Sequence, residues 1–127
     1  MVKVRSASVD DLEQLLDCER SVWESLRGIL PDDFLEEELR VYKSAKVKER
    51  KRRYLESPDS IALVAEEKGR VIGFAEVNVG AGVSHLGIIG VRKEHRKRGI
   101  GSALLEEHIV RSRQKGAHKV YLWTQKI

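Results

Sequence analysis

Apolar and polar positions alternate over residues 2–6 (VKVRS), the period of a short strand. From Leu12 the period changes. Leu12, Leu15, Leu16, Val22, Trp23 and Leu26 recur at helical spacing, Ser8 and Asp11 stand before them at capping-box distance, and Gly28 supplies a stop. Pro31 suits the first turn of a second helix, with Asp32, Asp33 and Glu36, Glu37 and Glu38 near its positive end, and the pattern predicts that this helix runs to about Leu55. Three strands are predicted next, over residues 61–65, 71–79 and 85–91. They are joined by Lys68-Gly69 and by Gly80-Ala81-Gly82, connections short enough for an antiparallel meander. From Gly99 the period is helical again. Leu104, Leu105, His108 and Ile109 make one face, Arg113 and Lys115 fall in the last turn, and Gly116 suits the position after it. Residues 120–123 form a last apolar strand. A strand, a helix of about 17 residues and a strand make a crossover, so the last two strands are expected to be parallel.

At 127 residues, 41% of them apolar, the chain has the size of one domain around one core, and residues 1–127 are read as a single domain. No apolar run approaches the roughly 20 residues of a membrane span. The N-terminus lacks the apolar stretch of a signal peptide. Cys18 is the only cysteine, so no internal disulfide can form, and a reducing, cytoplasmic setting is expected. Within its helix Cys18 reads as a packed thiol. The net charge of +4 favours anionic partners, phosphates among them. The strongest basic stretch, KSAKVKERKRRY, reads first as a solvated helix face. A nucleic-acid surface over residues 43–53 is the weaker reading, with only Tyr42 and Tyr54 to stack on bases.

One stretch stands apart, GVRKEHRKRGIGSALL over residues 90–105. It joins a strand to a helix start, where unpaired backbone N–H groups and the helix dipole favour an anion. Gly99 and Gly101 let a phosphate approach the backbone. Arg92, Lys93, Arg96, Lys97 and Arg98 add cations, and Ser102 offers a hydroxyl. Together these features point to a pyrophosphate site. A P-loop would carry Lys-Ser or Lys-Thr after the second glycine, and Ser102-Ala103 does not supply it. The pattern G-x-G-x-x-G is absent too, which disfavours ATP hydrolysis and nicotinamide chemistry.

Arg96-x-x-Gly99-x-Gly101, following Ile88-Ile89-Gly90-Val91, resembles the acetyl-CoA motif of the GNAT N-acetyltransferase superfamily. The segment VAEEKGRVIGFAEV, residues 64–77, is similar to that family's central hairpin, and the order of elements resembles its core over nearly the whole chain. The resemblance implies a mixed α/β fold (α+β type) with a mainly antiparallel central sheet and flanking helices. It implies acetyl-CoA as co-substrate, with its pyrophosphate on the backbone of Arg96, Lys97, Arg98, Gly99, Ile100 and Gly101 and on Ser102. The backbone of Ile89, Gly90 and Val91 would pair with the pantetheine arm, and the thioester would lie where the strands matching residues 85–91 and 120–126 splay apart. The implied reaction is direct attack by a neutral amine of a small molecule or peptide. Several family members keep a Glu six residues before the position matching Val91. His85 stands there, with a suitable unperturbed pKa near 6.5, and is the first candidate base; Glu76 on the neighbouring strand is the second. His95 reads as part of the exposed loop and His108 as half-buried. No metal site is expected, because no Cys, His or carboxylate cluster has ligand spacing.

Family members usually continue past the fifth strand with a helix, which often carries an acidic Tyr and an Asn near the cofactor, and two more strands. Here the chain stops at Ile127, so the resemblance implies a C-terminally shortened sheet with an apolar strand at its edge. Pairing of two copies through that strand is the expectation. A CoA-binding module without turnover is the alternative to an enzyme.

Overall fold

The computed structural model describes residues 1–122, without the side chains of His85, Tyr121 and Leu122. Five strands form one sheet in the order of the sequence: β1 (Lys3–Ser6), β2 (Ser60–Glu67), β3 (Arg70–Gly80), β4 (Val83–Val91) and β5 (Lys119–Leu122). The first four pair antiparallel, and β4 with β5 is parallel, as the crossover requires. Three helices separate β1 from β2: α1 (Leu12–Glu24), α2 (Asp32–Val41) and α3 (Ala45–Glu56). The fourth, α4 (Ile100–Gln114), connects β4 to β5.

The period-2 pattern of the central strands divides the core. Leu63, Ala65, Ile72, Ala75 and Val77 face α4 with its Ile100 and Leu104, whereas Val64, Val71 and Phe74 face Leu15 and Cys18 of α1. Cys18 is fully buried, and burial pushes its thiol up to about 11, so it packs as an apolar group. Two bulges interrupt the ladder. At the second, Glu76 pairs with Ile88 but Val77 with Leu86, so Gly87 is an extra residue in β4. The bulge turns Ile88 and Gly90 towards the α1 layer and Ile89 towards the α4 layer.

The structure corrects two expectations, the second helix and the burial of His108. The predicted helix from Pro31 to about Leu55 is two helices. Its interruption at Tyr42, Lys43 and Ser44 ends with Ser44 in an extended conformation, its hydroxyl accepting from Lys46 N–H at 3.2 Å. The break turns α3 back so that Lys51 and Tyr54 reach the sheet. The basic stretch is the solvated helix face expected of it, with Lys48, Arg52 and Arg53 in surface ion pairs, and only Lys51 turns inward to Glu19 and Glu76. His108 is fully buried rather than half-buried. Its Nδ1 lies 3.2 Å from Ser112 Oγ, which lies 2.8 Å from Ser84 Oγ. The predicted last strand is described as far as Leu122; Trp123 lies outside the described residues.

Burial holds the His108 imidazole below its ordinary value. The unfolded chain therefore binds the proton first as pH falls. Stability should be unaffected by His108 above about 6.5 and decline below it, no more steeply than about 1.4 kcal/mol per pH unit. Denaturant midpoints at pH 7.5 and 5.5 read the effect as the difference in slope between the parent and His108→Leu, which lacks this decline.

Gly90 illustrates a double constraint. A Cβ there would stand 2.8 Å from Phe74 Cζ and 3.1 Å from Val22 Cγ1. Gly90→Ala should cost about 1–3 kcal/mol through overpacking, seen as a lowered melting temperature with or without ligand.

Candidate functional site: a helix start and a bulged strand

The loop after β4 leads into α4 with its last backbone amides free among the described residues. Lys97 has φ +64 and Gly99 φ +79, both left-handed, and Gly99 caps α4 without a side-chain hydrogen bond. The first helical bond runs from Ala103 N–H to Gly99 O at 3.0 Å. No backbone N–H of residues 97–102 has a partner among the described residues. Left-handed residues alternating before a helix start form a concave set of amides, an anion-binding nest with the helix dipole behind it. A groove of about 440 Å³ runs here, lined by Ile89, Gly90, Val91, Arg96, Lys97, Gly99, Ile100, Gly101 and Ser102. Every predicted cofactor residue but Arg98 lines it.

The cations are less free than their number suggests. Arg92 is buried and donates to Val71 O and to Asp17 at 2.9 and 2.8 Å. Arg96 donates to Val91 O and to Ser25 Oγ. Arg98 is held by Glu67 and by His95 Nδ1, and its guanidinium keeps the Glu67 carboxyl below the usual range. Three of the five thus fasten the loop to α1 and to the β2–β3 turn. Lys93 and Lys97 have no hydrogen bond or ion pair from their side chains among the described residues.

Beyond the groove, β4 pairs with β5 over residues 83–86 in the described residues. The bulge residue Gly87 is exposed, and a Cβ there would meet only Glu76 O at 3.4 Å, an ordinary contact. Core packing therefore does not require a glycine at this position. Gly87 and Ile88 form one wall of a second pocket of about 330 Å³, on the α1 side of the sheet. Helices α2 and α3 supply Glu38, Val41, Tyr42, Val47, Arg50, Lys51 and Tyr54, and β3 supplies Glu76 and Asn78. The Tyr54 hydroxyl accepts from Val77 N–H at 2.6 Å and lies 2.7 and 2.9 Å from the carbonyls of Val77 and Ile61.

At one wall of this pocket Lys51 Nζ donates to both oxygens of Glu76, at 2.6 and 2.7 Å, and to Glu19 Oε1 at 3.0 Å. The side chains of Lys51 and Glu76 are 14% and 12% exposed, and that of Glu19 only 1%. Burial opposes the charge of Lys51, but Glu76 and Glu19 outweigh it and hold the ammonium above its ordinary value. Of the two candidate bases, Glu76 thus faces the pocket. His85 belongs to β4 opposite Asn78 by its backbone, and its side chain lies outside the described residues. Glu19 is the residue that sequence reasoning missed. The signal was its position: four after Leu15 and three before Val22, it falls on the apolar stripe of α1. Among the described residues no group of three or more His, Cys, Asp or Glu could hold a metal ion, and no helix is long and apolar enough to cross a membrane.

A family model described as the acetyltransferase (GNAT) family matches residues 21–126. No curated protein matches the sequence. Many solved structures share the fold. The PaiA N-acetyltransferase from Thermoplasma acidophilum, in complex with coenzyme A, is 25% identical with a TM-score of 0.87, over 99% of this chain and 80% of that one. An aminoglycoside acetyltransferase from an uncultured soil metagenomic sample is 21% identical with a TM-score of 0.77, over 100% and 82%. A ribosomal-protein-alanine N-acetyltransferase from Brucella melitensis biovar Abortus 2308 is 16% identical with a TM-score of 0.72, over 100% and 82%.

Proposed function

Since this chain belongs to the acetyltransferase (GNAT) family, we propose that it transfers the acetyl group of acetyl-CoA to a primary amine by direct attack. The observation that carries the reading is the run of partnerless amides over residues 97–102, opening on a groove that continues along β4. The pyrophosphate sits on those amides, with Ser102 and Lys97 beside them. The pantetheine arm follows Ile89, Gly90 and Val91 towards the bulge at Gly87, where backbone polarises the thioester carbonyl. The Thermoplasma relative's complex with coenzyme A supports the same choice of co-substrate.

The acceptor enters from the second pocket, where Glu38 and Glu76 offer carboxylates to an amine and Arg50 and Lys51 balance their charge. After the amine loses a proton, its nitrogen attacks the carbonyl carbon. An N–C bond forms, the C–S bond breaks, and CoA leaves as the thiolate. His85 or Glu76 takes the proton. His85→Ala and Glu76→Gln distinguish them, because only loss of the base removes the acidic limb of the kcat/KM profile. Pairing of two copies along β5 belongs to the same proposal and is read by light scattering.

Acetyl-CoA should raise the melting temperature, and thiol release should appear with at least one member of a panel of peptides, polyamines and aminoglycosides. Protection without release from any amine would favour a CoA-binding module without turnover. Absence of protection would overturn both readings.

A further inference from the structure

The triad of Glu19, Lys51 and Glu76 has an imbalance that points to the role of its most buried member. Two carboxyl groups share one ammonium. Lys51 donates to both oxygens of Glu76 but reaches only Oε1 of Glu19, and each Glu76 oxygen keeps a lone pair for a second donor. Glu19 Oε2 is buried without a hydrogen-bond partner. An ionised oxygen in that state carries its full desolvation cost with no donor to offset it. Among the described residues, the groups around it do not supply a second cation. From α3 come Lys51 and the Tyr54 hydroxyl, from the end of α2 Tyr42, from β3 Glu76, and from α1 itself Cys18. The Tyr54 hydroxyl is committed to β2 and β3, and that of Tyr42 accepts from Trp23 Nε1. Glu76, by contrast, shares the Lys51 ammonium with Glu19, at 2.6 and 3.0 Å from Nζ, which brings the two carboxyl groups together.

We propose that Glu19 is a positioning residue that works as a neutral carboxylic acid, its O–H donating to Glu76 and its Oε1 accepting from Lys51, so that Glu76 is held as the ionised carboxylate of the triad, at the wall of the acceptor pocket. This closes the hydrogen-bond account of the triad: Oε2 gains a partner, and one ammonium faces one carboxylate. It fits the direction in which the surroundings act, since burial and then the charge of Glu76 push Glu19 up to about 8. It rests on the acetyltransferase reading only in assigning the pocket to the acceptor.

The test separates a neutral from an ionised Glu19. Glutamine reproduces the protonated acid, with an oxygen for Lys51 and an N–H for Glu76, whereas alanine removes both. In the whole protein, the carboxyl carbon of Glu19, assigned by its disappearance in Glu19→Gln, should give the acid chemical shift in NMR at pH 7 and titrate near 8. The stability it contributes should be fully present below about 4.5 and lost as pH rises through about 8, a decline absent from Glu19→Gln. With an amine that turns over, Glu19→Gln should lose at most a few-fold in kcat/KM at pH 7. Glu19→Ala should lose at least about tenfold, the consequence of about 1.4 kcal/mol. Titration of Glu19 in the ordinary carboxylate range, or a glutamine variant as impaired in stability as the alanine one, would overturn the proposal. If the parent turns over no amine while Glu19 titrates near 8, the acetyltransferase reading fails and the assignment of Glu19 stands.

Discussion

A Gly101→Glu protein should fold like the parent and lose coenzyme A affinity by about a thousandfold. The fold survives for three reasons. Gly101 does not occupy the left-handed region, a Cβ there meets only Val91 Cγ2 at 3.9 Å, and a glutamate in the first turn of α4 complements the helix dipole. Binding does not survive, because the carboxylate occupies the amides that would hold the pyrophosphate. A unit charge about 4 Å from another costs roughly 4 kcal/mol at an effective dielectric constant near 20, about three factors of ten in affinity at 1.4 kcal/mol each. Gly101→Ala is the control, with a small loss at most. Gly99→Glu should also abolish binding, but less cleanly, since φ +79 strains any L residue there. Calorimetric titration with coenzyme A reads all three. Unchanged affinity in Gly101→Glu would remove the anion from the helix start.

Lys51→Met should be the most destabilising single substitution at the second pocket, at about 3–5 kcal/mol near pH 8. Lys51 is the hydrogen-bond donor to both oxygens of Glu76 and to Glu19. Without it Glu76 is a largely buried carboxylate with no counter-ion. The deficit should shrink as pH is lowered to 5, because in the variant the carboxyl can take up a proton where the parent keeps an ion pair. Lys51→Met combined with Glu76→Gln should recover much of the loss, since removing both partners leaves no uncompensated charge. The exposed pairs of α2 and α3, such as Arg40 with Glu37 and Arg52 with Glu56, should change stability little when broken. Denaturant unfolding at the two pH values measures the contrast. A Lys51→Met protein as stable as the parent at pH 8 would show that Glu76 finds water or another partner.

The two halves of the site differ in how far they could be read from the chain. The cofactor side is built from consecutive residues and mostly from backbone. Two glycines and a change of period from 2 to 3.6 suffice to predict the helix start on which the proposed pyrophosphate site rests, and α4 begins there, at Ile100. Gly90 was legible as a glycine on a strand, but its second reason, the ring of Phe74, required the packed sheet. The acceptor side is assembled from four elements far apart in sequence. Glu19 reads locally as one polar position in an amphipathic helix, Lys51 as one cation in a basic run and Glu76 as a strand carboxylate. The break at Ser44 that lets α3 fold back had one local signal, the capping serine itself, which the helix formers on either side of it outweighed.

What the sequence determined by itself is therefore local: strands and helices by their period, and a helix start with free amides by its glycines, because such features depend on neighbours a few residues apart. Only the tertiary structure decided which charges are spent and which remain. Arg92, Arg96 and Arg98 became fastenings of the loop, and Glu19, Lys51 and Glu76 became one buried unit. The physical reason is that the partner and the dielectric surroundings of a charge are set by burial and by contacts across the fold, and neither is a property of the residue alone.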